Sequence, residues 1–456
     1  MAGTLIVSNL TTDTDNTFIV RSNTGTTLFS ANTTGIDVAN SIGATAITND
    51  KILSVANTKI SGLVTASQIA NVANTQLTGT ITGSQISSNT LSNTVFQTGS
   101  VENYMNAQGL GFGMRNRIIN GAMVFDQRNA GASKTTNDVY TVDRWAYYAS
   151  QATKFTWGQN LNSVTPPVGF SNYFGFQSSS AYSVISSDYF QWIQQIEGFN
   201  TADLAWGTAN AKTVTLSFLV YSSLTGTFAG GVMNSASNRA YPFTFSIPVA
   251  NTWTQISVTI AGDTTGTWVG GTNGVGVSVR FNLGAGSNFQ STANAWGATG
   301  AFSVSGAVNV VGTNGATFYI TGVQLEKGST ATSFDYRPFG TEVVLCQRYF
   351  AKSYDIATAV GTATRSGFVN WNWQNLSNYG TVTVYLPVRM RAAPTSTNYN
   401  PDLTNTVGGR YWNGSAEVAF TGSMDGWTNY QSSITFNKNS TNSTNMLIQW
   451  TADAEL

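Results

Sequence analysis

Histidine is absent from the 456-residue chain, and cysteine occurs once, as Cys346. Without histidine, the chain lacks the commonest general base and the commonest zinc ligand, and a Ser-His-Asp triad cannot form. A single cysteine forms no disulfide within the chain, and no histidine can activate its thiol. We therefore expect no catalytic residue, no metal site and no cofactor, and we expect Cys346 to be a small buried residue. A structural cation held by backbone carbonyls would leave no mark in the sequence.

Charged residues are scarce, at 9% of the chain against roughly 25% in ordinary soluble domains. The 21 basic and 21 acidic side chains cancel, so no long-range field draws the chain to phosphates or to an anionic membrane. No apolar run approaches the roughly 18 residues that span a bilayer, and Met1–Thr4 does not begin a signal peptide. These absences predict no nucleic-acid partner, no membrane insertion, and synthesis in the cytoplasm without a signal peptide.

Aromatic residues are distributed unevenly. The first 110 residues contain three phenylalanines and one tyrosine, whereas all twelve tryptophans lie between Trp145 and Trp450. Because aromatic side chains supply much of the buried area of a core, this distribution predicts a thin front part and a globular back part. In the front part, Phe18–Val20 and Leu28–Phe29 flank a turn that contains glycine and predict a hairpin. We assign residues 1–50 to anchoring.

A direct repeat with a period of 17 residues occupies residues 55–88, as VANTKISGLVTASQIAN followed by VANTQLTGTITGSQISS. Each copy has too little apolar surface to offset the entropy of ordering one chain alone. The repeat is therefore either a flexible linker or a stalk that shares its core with copies of itself, and the regular apolar spacing favours the stalk. It resembles the triple β-spiral shafts of viral fibres, which implies a homotrimer. The residues that would form the trimer core are Ile60, Val64, Ile69, Leu77, Ile81 and Ile86.

Beyond residue 113 the chain alternates apolar and polar residues with a period of two, as in Thr213–Tyr221 and Thr254–Ile260. Glycine-rich breaks separate these runs, which is typical of an antiparallel β-sandwich. Helix patterns are nearly absent. Ser187–Glu197 and Thr341–Tyr349 are short helix candidates, and the second would connect two domains. The strand-like runs after this connection predict a second, smaller β domain.

Four stretches around the larger β domain resemble bacteriophage tail-fibre proteins. They are NRIINGAMVFDQR at 116–128, YTVDRW at 140–145, FYITGVQLEKG at 318–328 and LCQRYF at 345–350. A fifth stretch, VRMRAAPT at 388–395, is similar to the small tip domain that follows in such proteins. The resemblance covers about half of the chain.

This resemblance implies an all-β fold in four parts. A virion-anchoring segment occupies residues 1–50, and a short fibrous, trimeric stalk follows at 51–110. A jelly-roll β-sandwich similar to carbohydrate-binding modules occupies 111–340, and a smaller C-terminal β-sandwich forms the tip domain at 341–456.

The motifs also contain charges that stand beside large aromatic residues, namely Asp126, Arg128, Asp143 and Arg144. In a chain this poor in charge, we expect these four residues to pair with one another at a partly buried junction and to be structural. We expect Glu326 to pair with Arg337 in the same way.

A glycan site needs flat aromatic faces for sugar C–H groups, and neutral amides or carboxylates for sugar hydroxyls. Glycine-rich loops near the end of the chain offer both, and an exposed tryptophan in such a loop is costly unless it is used. Alternatively, these tryptophans pack under their own loops. The candidate glycan-binding residues are Tyr411, Trp412, Asn413, Asp425, Trp427 and Tyr430. Core packing or a trimer interface explains Trp371 and Trp373 better than a ligand does.

A glycan hydrolase needs two carboxylates about 5 to 10 Å apart. Asp188 with Glu197, or Asp402 with Asp425, would be the candidate pairs, but nothing in the sequence brings either pair together. The chain also lacks the extended repeat of a parallel β-helix, the architecture on which fibres usually cleave glycans.

The residues and the resemblance together predict a homotrimeric tail fibre that is part of the virion. It would mediate host recognition and adsorption by binding a cell-surface polysaccharide without catalysis, while residues 1–50 dock onto a baseplate, tail or adaptor protein. Two alternatives stay open. One is a structural or decoration fibre without receptor binding, and the other is a glycan depolymerase.

Overall fold

The computed structural model describes residues 18–21, 24, 27–32, 35–37, 114–372, 379–413, 415–421, 426–439 and 445–456. The chain divides into two compact units, residues 1–92 and 93–456. The predicted trimer core, Ile60, Val64, Ile69, Leu77, Ile81 and Ile86, lies outside the described residues, and so does Asp425. The stalk and its trimer therefore stay predictions.

In the first unit, three antiparallel strands form a sheet: β1 (Phe18–Arg21), β2 (Thr27–Asn32) and β3 (Gly35–Asp37). Phe18 pairs with Ala31, and Val20 pairs with Phe29. The hairpin predicted from the two apolar runs is confirmed.

Most of the second unit is a sandwich of two antiparallel sheets. Its strands are β4 (Val139–Tyr140), β5 (Trp145–Ala149), β6 (Phe155–Gln159), β7 (Phe174–Ser178), β8 (Tyr189–Glu197), β9 (Val214–Ser222), β10 (Gly226–Met233), β11 (Ala240–Ile247), β12 (Thr254–Ile260), β13 (Val275–Ala285) and β14 (Thr317–Lys327). One sheet has the order β11-β10-β13-β8-β5-β4, and the other has the order β12-β9-β14-β7-β6. The prediction of an all-β fold with a jelly-roll β-sandwich is confirmed.

Aromatic side chains from both sheets fill the space between them. Trp192 of β8 stacks on Trp145 of β5, with 4.0 Å between ring centroids, and on Phe174 of the opposite sheet, with 5.2 Å. Phe218 of β9 meets Phe281 of β13 edge-on across the core. Each buried aromatic side chain removes about 150–250 Å² from water, so this layer stabilises the sandwich.

The predicted helix at Ser187–Glu197 is wrong, because strand β8 occupies this segment. β8 lies between β13 and β5, and Trp192 faces the core while Ile193 is buried on the opposite face. A strand that is buried on both faces loses the alternation of apolar and polar residues, and its pattern can be mistaken for a helix. The second helix candidate is confirmed as α1 (Phe339–Gln347), which includes the buried Cys346.

The chain after α1 forms two further sheets. Their strands are β15 (Phe350–Lys352), β16 (Val369–Asn372), β17 (Tyr379–Tyr385), β18 (Thr395–Tyr399), β19 (Gly408–Trp412), β20 (Glu417–Thr421), β21 (Gly426–Tyr430), β22 (Ser433–Asn439) and β23 (Asn445–Asp453). β23 pairs with β16 and β19 along its first half and with β15 and β18 along its second half, while β17-β22-β21 form a sheet of their own. Ile434 and Phe436 of β22 pack with Met446 and Ile448 of β23 in a small core.

A buried network joins the sandwich to this C-terminal region. Arg144 is 1% exposed, lies over the ring of Tyr349 at 3.5 Å and forms an ion pair with Glu455. Arg128 pairs with Asp453 at 2.9 Å and lies over the ring of Phe350. Both arginines thus bind the residues that follow or end β23.

The predicted mutual pairing of the four motif charges is therefore wrong, although their place at a junction is right. Asp143 accepts hydrogen bonds from the backbone and side chain of Gln127, and Asp126 accepts them from the backbone N–H groups of Asn129 and Gly131. Both acids are satisfied locally, which leaves the arginines for partners that are distant in sequence.

The predicted pair of Glu326 and Arg337 is also wrong. Glu326 accepts hydrogen bonds from the backbone N–H and the hydroxyl of Thr332, while Arg337 pairs with Glu342 at 3.0 Å. In each case a partner that is closer along the chain is preferred.

Two features are not found in the part of the chain that the structure describes. It contains no helix long and apolar enough to cross a membrane, and no group of three or more Cys, Asp and Glu residues that could hold a metal ion.

Candidate functional site

Tyr411 and Trp412, two of the predicted glycan-binding residues, are neighbours on β19 and therefore point to opposite faces of their sheet. Tyr411 packs beside Phe420, with 6.4 Å between the ring centroids. Trp412 is 37% exposed, and its backbone N–H donates to Oδ1 of Asn445. The two rings cannot form one aromatic surface.

Asn413 has a structural task in the turn between β19 and β20. Its Oδ1 accepts hydrogen bonds from the backbone N–H groups of Ser415 and Ala416, each at 2.9 Å. Trp427 lies in β21, but its side chain is outside the described residues, as is the whole of Asp425. For these two candidates the binding role stays a prediction.

Tyr430, the last of the candidates, lies in an exposed aromatic row. Ser433 of β22 pairs with Tyr385 on one side and with Tyr430 on the other. Directly opposed residues of antiparallel strands share a face, so the two tyrosines flank Ser433 about 10 Å apart, which is two strand spacings. Tyr385 is 81% exposed and Tyr430 is 59% exposed.

The next row on the same face adds hydroxyl groups. Thr383 pairs with Thr435, and their hydroxyl oxygens are 3.0 Å apart. We define the tyrosine face as Thr383, Tyr385, Tyr430, Ser433 and Thr435. It combines two exposed rings with neutral hydroxyls and has no charged side chain among these five residues, so it can stack on sugar rings and exchange hydrogen bonds with sugar hydroxyls.

The opposite side of the same sheet holds the tyrosine face in place. Val382 and Val384 of β17 alternate with the exposed residues and pack with Ile434 and Phe436 in the small core. Because alternate residues of a strand point to opposite faces, burial of these side chains fixes the outward direction of Tyr385. The sequence did not single out Tyr385, although the run TVTVY at 381–385 contains this signal.

Trp371 is 44% exposed and pairs with Met446, which also pairs with Tyr411. The three residues thus share the face that carries the small core, with Trp371 towards its edge. Trp373 is outside the described residues. Trp371 is not part of the small core, so core packing does not account for it, and the trimer interface stays a prediction.

An ion-pair network lies near Trp412, on the face of the β19 sheet opposite to the small core. Arg365 contacts Asp402 at 2.7 Å and Glu417 at 2.6 Å, and Arg410 contacts the same two acids. The hydrogen bonds from Arg365 hold the pKa of Asp402 below its ordinary value. A carboxylate held ionised in this way is poorly suited to donate a proton.

The other carboxylate pair considered for hydrolysis is far apart. Asp188 precedes β8 and Glu197 ends it, which places them about 30 Å apart at roughly 3.3 Å per residue. Burial opposes ionisation of Glu197, but its hydrogen bonds from Arg348 and Tyr349 outweigh this effect, and its pKa lies below its ordinary value. These two residues cannot form the paired carboxylates of a glycosidase.

No protein-family model matches the chain, and no curated protein matches it. Among solved structures, the chain is similar to an enzymatically active domain of tailspike protein 4 of bacteriophage CBA120, with 15% identity, a TM-score of 0.27 and coverage of 47% of this chain and 21% of that one. The match thus spans about a fifth of the tailspike domain.

Carbohydrate-binding modules are also similar. One is a module in complex with β-1,4-galactotriose, at 9% identity and a TM-score of 0.24, over 47% of this chain and 99% of that one. Another is a family 11 module of Clostridium thermocellum in complex with a mixed-linked tetrasaccharide, at 10% identity and a TM-score of 0.21, over 45% and 98%. Identities and TM-scores this low carry no argument about what the present chain binds.

Proposed function

We propose that the chain is a homotrimeric bacteriophage tail fibre that adsorbs to its host by non-catalytic binding of a cell-surface glycan. The observation that carries the binding part of this proposal is the tyrosine face, where Tyr385 and Tyr430 present two exposed rings on a neutral hydroxyl surface. The five tail-fibre-like stretches of the sequence support the assignment to a fibre.

In this proposal the four parts have separate tasks. Residues 1–50 dock onto a baseplate, tail or adaptor protein of the virion, and residues 51–110 form the trimeric stalk. The sandwich at 111–340 supports the tip domain at 341–456, which carries the tyrosine face. One site of this kind binds weakly, but several sites on a fibre and several fibres on a particle raise the effective affinity without new contacts.

Trp412 and Trp427 remain proposed as further glycan contacts of the tip domain. Trp412 stands on a different sheet from the tyrosine face, so its contribution can be tested separately, whereas Trp427 lies on β21 together with Tyr430. The structure of the ion-pair network beside Trp412 gives this surface charged neighbours, whereas the tyrosine face is neutral. A neutral sugar ring is therefore better suited to the tyrosine face.

The test is binding of purified full-length protein to an array of bacterial surface polysaccharides. We expect the double variant Tyr385→Ala/Tyr430→Ala to lose at least about tenfold in affinity, or roughly 1.4 kcal/mol, because exposed aromatic anchors dominate such contacts. The matched control is Tyr336→Ala, which removes one exposed tyrosine ring, 56% exposed, outside all the proposed glycan contacts and should retain binding.

Three other results would contradict the proposal. Unchanged binding in the double tyrosine variant would remove the tyrosine face from it. Binding to none of the polysaccharides, together with defective particle assembly after truncation of residues 341–456, would favour a structural or decoration fibre. New reducing ends in a bound polysaccharide would favour a depolymerase.

A further inference from the structure

A second surface, distinct from the tyrosine face, lies where the sandwich meets the C-terminal region. It is a groove of about 440 Å³. Phe199 and the loop 271–273 form its sandwich side, and Arg348, the segment 389–391 and Gln431 form its other side. The groove thus gathers arginines from two of the motifs that the sequence singled out, LCQRYF and VRMRAAPT.

The charges in this groove do not balance. Arg348, Arg389 and Arg391 line it, and no aspartate or glutamate is among its described lining residues. Arg348 donates two hydrogen bonds to the carboxylate of Glu197, at 2.5 and 2.9 Å. Tyr349 donates a third hydrogen bond to Glu197 at 2.8 Å. Glu197 therefore pairs with Arg348, whereas Arg389 and Arg391 form no ion pair with a carboxylate in the described part of the chain.

Arg391 is held rigidly by neutral acceptors. Its guanidinium donates to the backbone carbonyls of Ala454 at 2.7 Å, Glu455 at 2.6 Å and Asn273 at 3.1 Å. Carbonyl oxygens fix the direction of the side chain but do not neutralise its charge. The positive field of Arg391 is therefore preorganised at the groove.

Arg389 is the group that is free to bind. Its Nε donates to Oε1 of Gln431 at 2.6 Å, and its side chain is exposed. Neither terminal nitrogen of its guanidinium has a hydrogen-bond or ion-pair partner among the described residues. Two parallel N–H donors of an arginine fit the two oxygens of a carboxylate, so the open side of Arg389 is shaped for such a ligand.

Phe199 adds an apolar surface beside these donors. It is 58% exposed, and the 3-10 turn Gly198–Asn200 holds it next to the loop 271–273, where its backbone N–H donates to the carbonyl of Thr272 at 2.9 Å. An exposed ring and a guanidinium fork that line the same groove suit a sugar ring bearing a carboxylate better than a bare inorganic anion, which has no C–H face to stack.

We propose that this groove binds an acidic sugar residue, with its carboxylate on Arg389 and its ring against Phe199. This inference rests on the proposed glycan-binding function and narrows it to a class of ligand, namely polysaccharides that contain uronate or sialate residues. The net charge of zero for the whole chain does not conflict with it, because the positive charge is local to the groove.

The test is calorimetric titration of full-length protein with glucuronate-, galacturonate- and sialate-terminated trisaccharides, each beside its neutral carboxyl-reduced counterpart. We expect at least one acidic trisaccharide to bind about tenfold more tightly than its counterpart, because hydrogen bonds to charged groups are the stronger ones. Arg389→Gln should remove this preference. The matched control Lys134→Gln removes an exposed positive charge on the sandwich outside the groove and should preserve it.

Several results would overturn the proposal. Equal affinity for each acidic and neutral pair would do so, as would no binding of any trisaccharide, or an equal loss in Arg389→Gln and Lys134→Gln. Inorganic phosphate that binds more tightly than every acidic trisaccharide would make the groove a simple anion site. If no acidic trisaccharide is preferred but the protein still binds the polysaccharide array through its tyrosines, the groove proposal fails and the proposed function stands. If the protein binds neither the trisaccharides nor the array, the proposed function fails as well.

Discussion

Two clusters of arginine and carboxylate groups use the same chemistry in different surroundings. At the junction, Arg144 is 1% exposed and its partner Glu455 is 3% exposed, whereas Arg365 beside Asp402 and Glu417 is 44% exposed. Breaking an ion pair in a water-free site leaves a buried charge without compensation, but water replaces a lost partner at the surface. The comparison indicates that burial, and not the number of contacts, decides which cluster holds the molecule together.

The largest effect should follow from Arg144→Met. This change leaves Glu455 buried with only Arg128, at 3.4 Å, to compensate its charge, and we expect a loss of about 3–5 kcal/mol in the free energy of unfolding. Urea denaturation of the full-length protein measures this loss. The double variant Arg144→Met/Glu455→Leu removes both charges and should recover much of the lost free energy of unfolding, because two apolar side chains can be buried without an unpaired charge. A loss below about 1 kcal/mol in the single variant would make the junction equivalent to a surface pair.

An intermediate effect should appear with pH at the same junction. Burial, opposed in part by hydrogen bonds from Gly131 and Asn129, raises the pKa of Asp126 from 3.8 to about 6. Between pH 3.8 and pH 6 the folded state therefore binds the Asp126 proton more tightly than the unfolded state does. The contribution of protonated Asp126 to the free energy of unfolding is largest below pH 3.8 and is lost as the pH rises to 6. The loss is about 3 kcal/mol, at 1.36 kcal/mol per pKa unit.

The variant Asp126→Asn isolates this contribution from the other carboxylates. As the pH rises from 4 to 7, the free energy of unfolding of the native protein should decrease relative to that of Asp126→Asn. Urea denaturation of both proteins across this range provides the measurement. A difference that stays constant with pH, or shifts the other way, would show that Asp126 is not destabilised by burial.

The smallest effect should follow from Arg365→Gln. Its guanidinium is exposed, and Arg410 remains beside Asp402 and Glu417 at 3.1 and 3.3 Å. We therefore expect a loss below about 1 kcal/mol, which decreases further at high salt because exposed pairs are screened. A loss as large as that of Arg144→Met in the same urea experiment would remove the distinction between the two clusters.

Strands on one exposed face were predictable from the sequence, and their physical cause is simple. Residues 254–260 alternate because β12 is at the edge of its sheet with one face in water. β8 was predicted wrongly because it is central and buried on both faces. The alternation of apolar and polar residues along a strand reflects which of its faces are exposed. That exposure depends on neighbouring strands that are distant in sequence.

The junction and the binding surfaces show the same limit. The motif charges were correctly placed at a junction, but Arg144 pairs with a residue 311 positions away, which no local spacing indicates. Tyr430 was among the predicted candidates, whereas Tyr385 was missed because only the register of β17, β22 and β21 brings the two together. The groove was missed for the same reason, since Phe199, Arg348 and Arg389 meet only in the folded chain.

The position of β23 has a mechanical consequence. The C-terminal region is tied to the sandwich through α1, where it begins, and again through Asp453 and Glu455, which the sandwich arginines bind after β23 has crossed the whole region. Phe350 of β15 pairs directly with Asp453 of β23, so the two attachments lie side by side and the region is held at both ends of its chain. A break in either connection would therefore leave the region attached to the sandwich through the other.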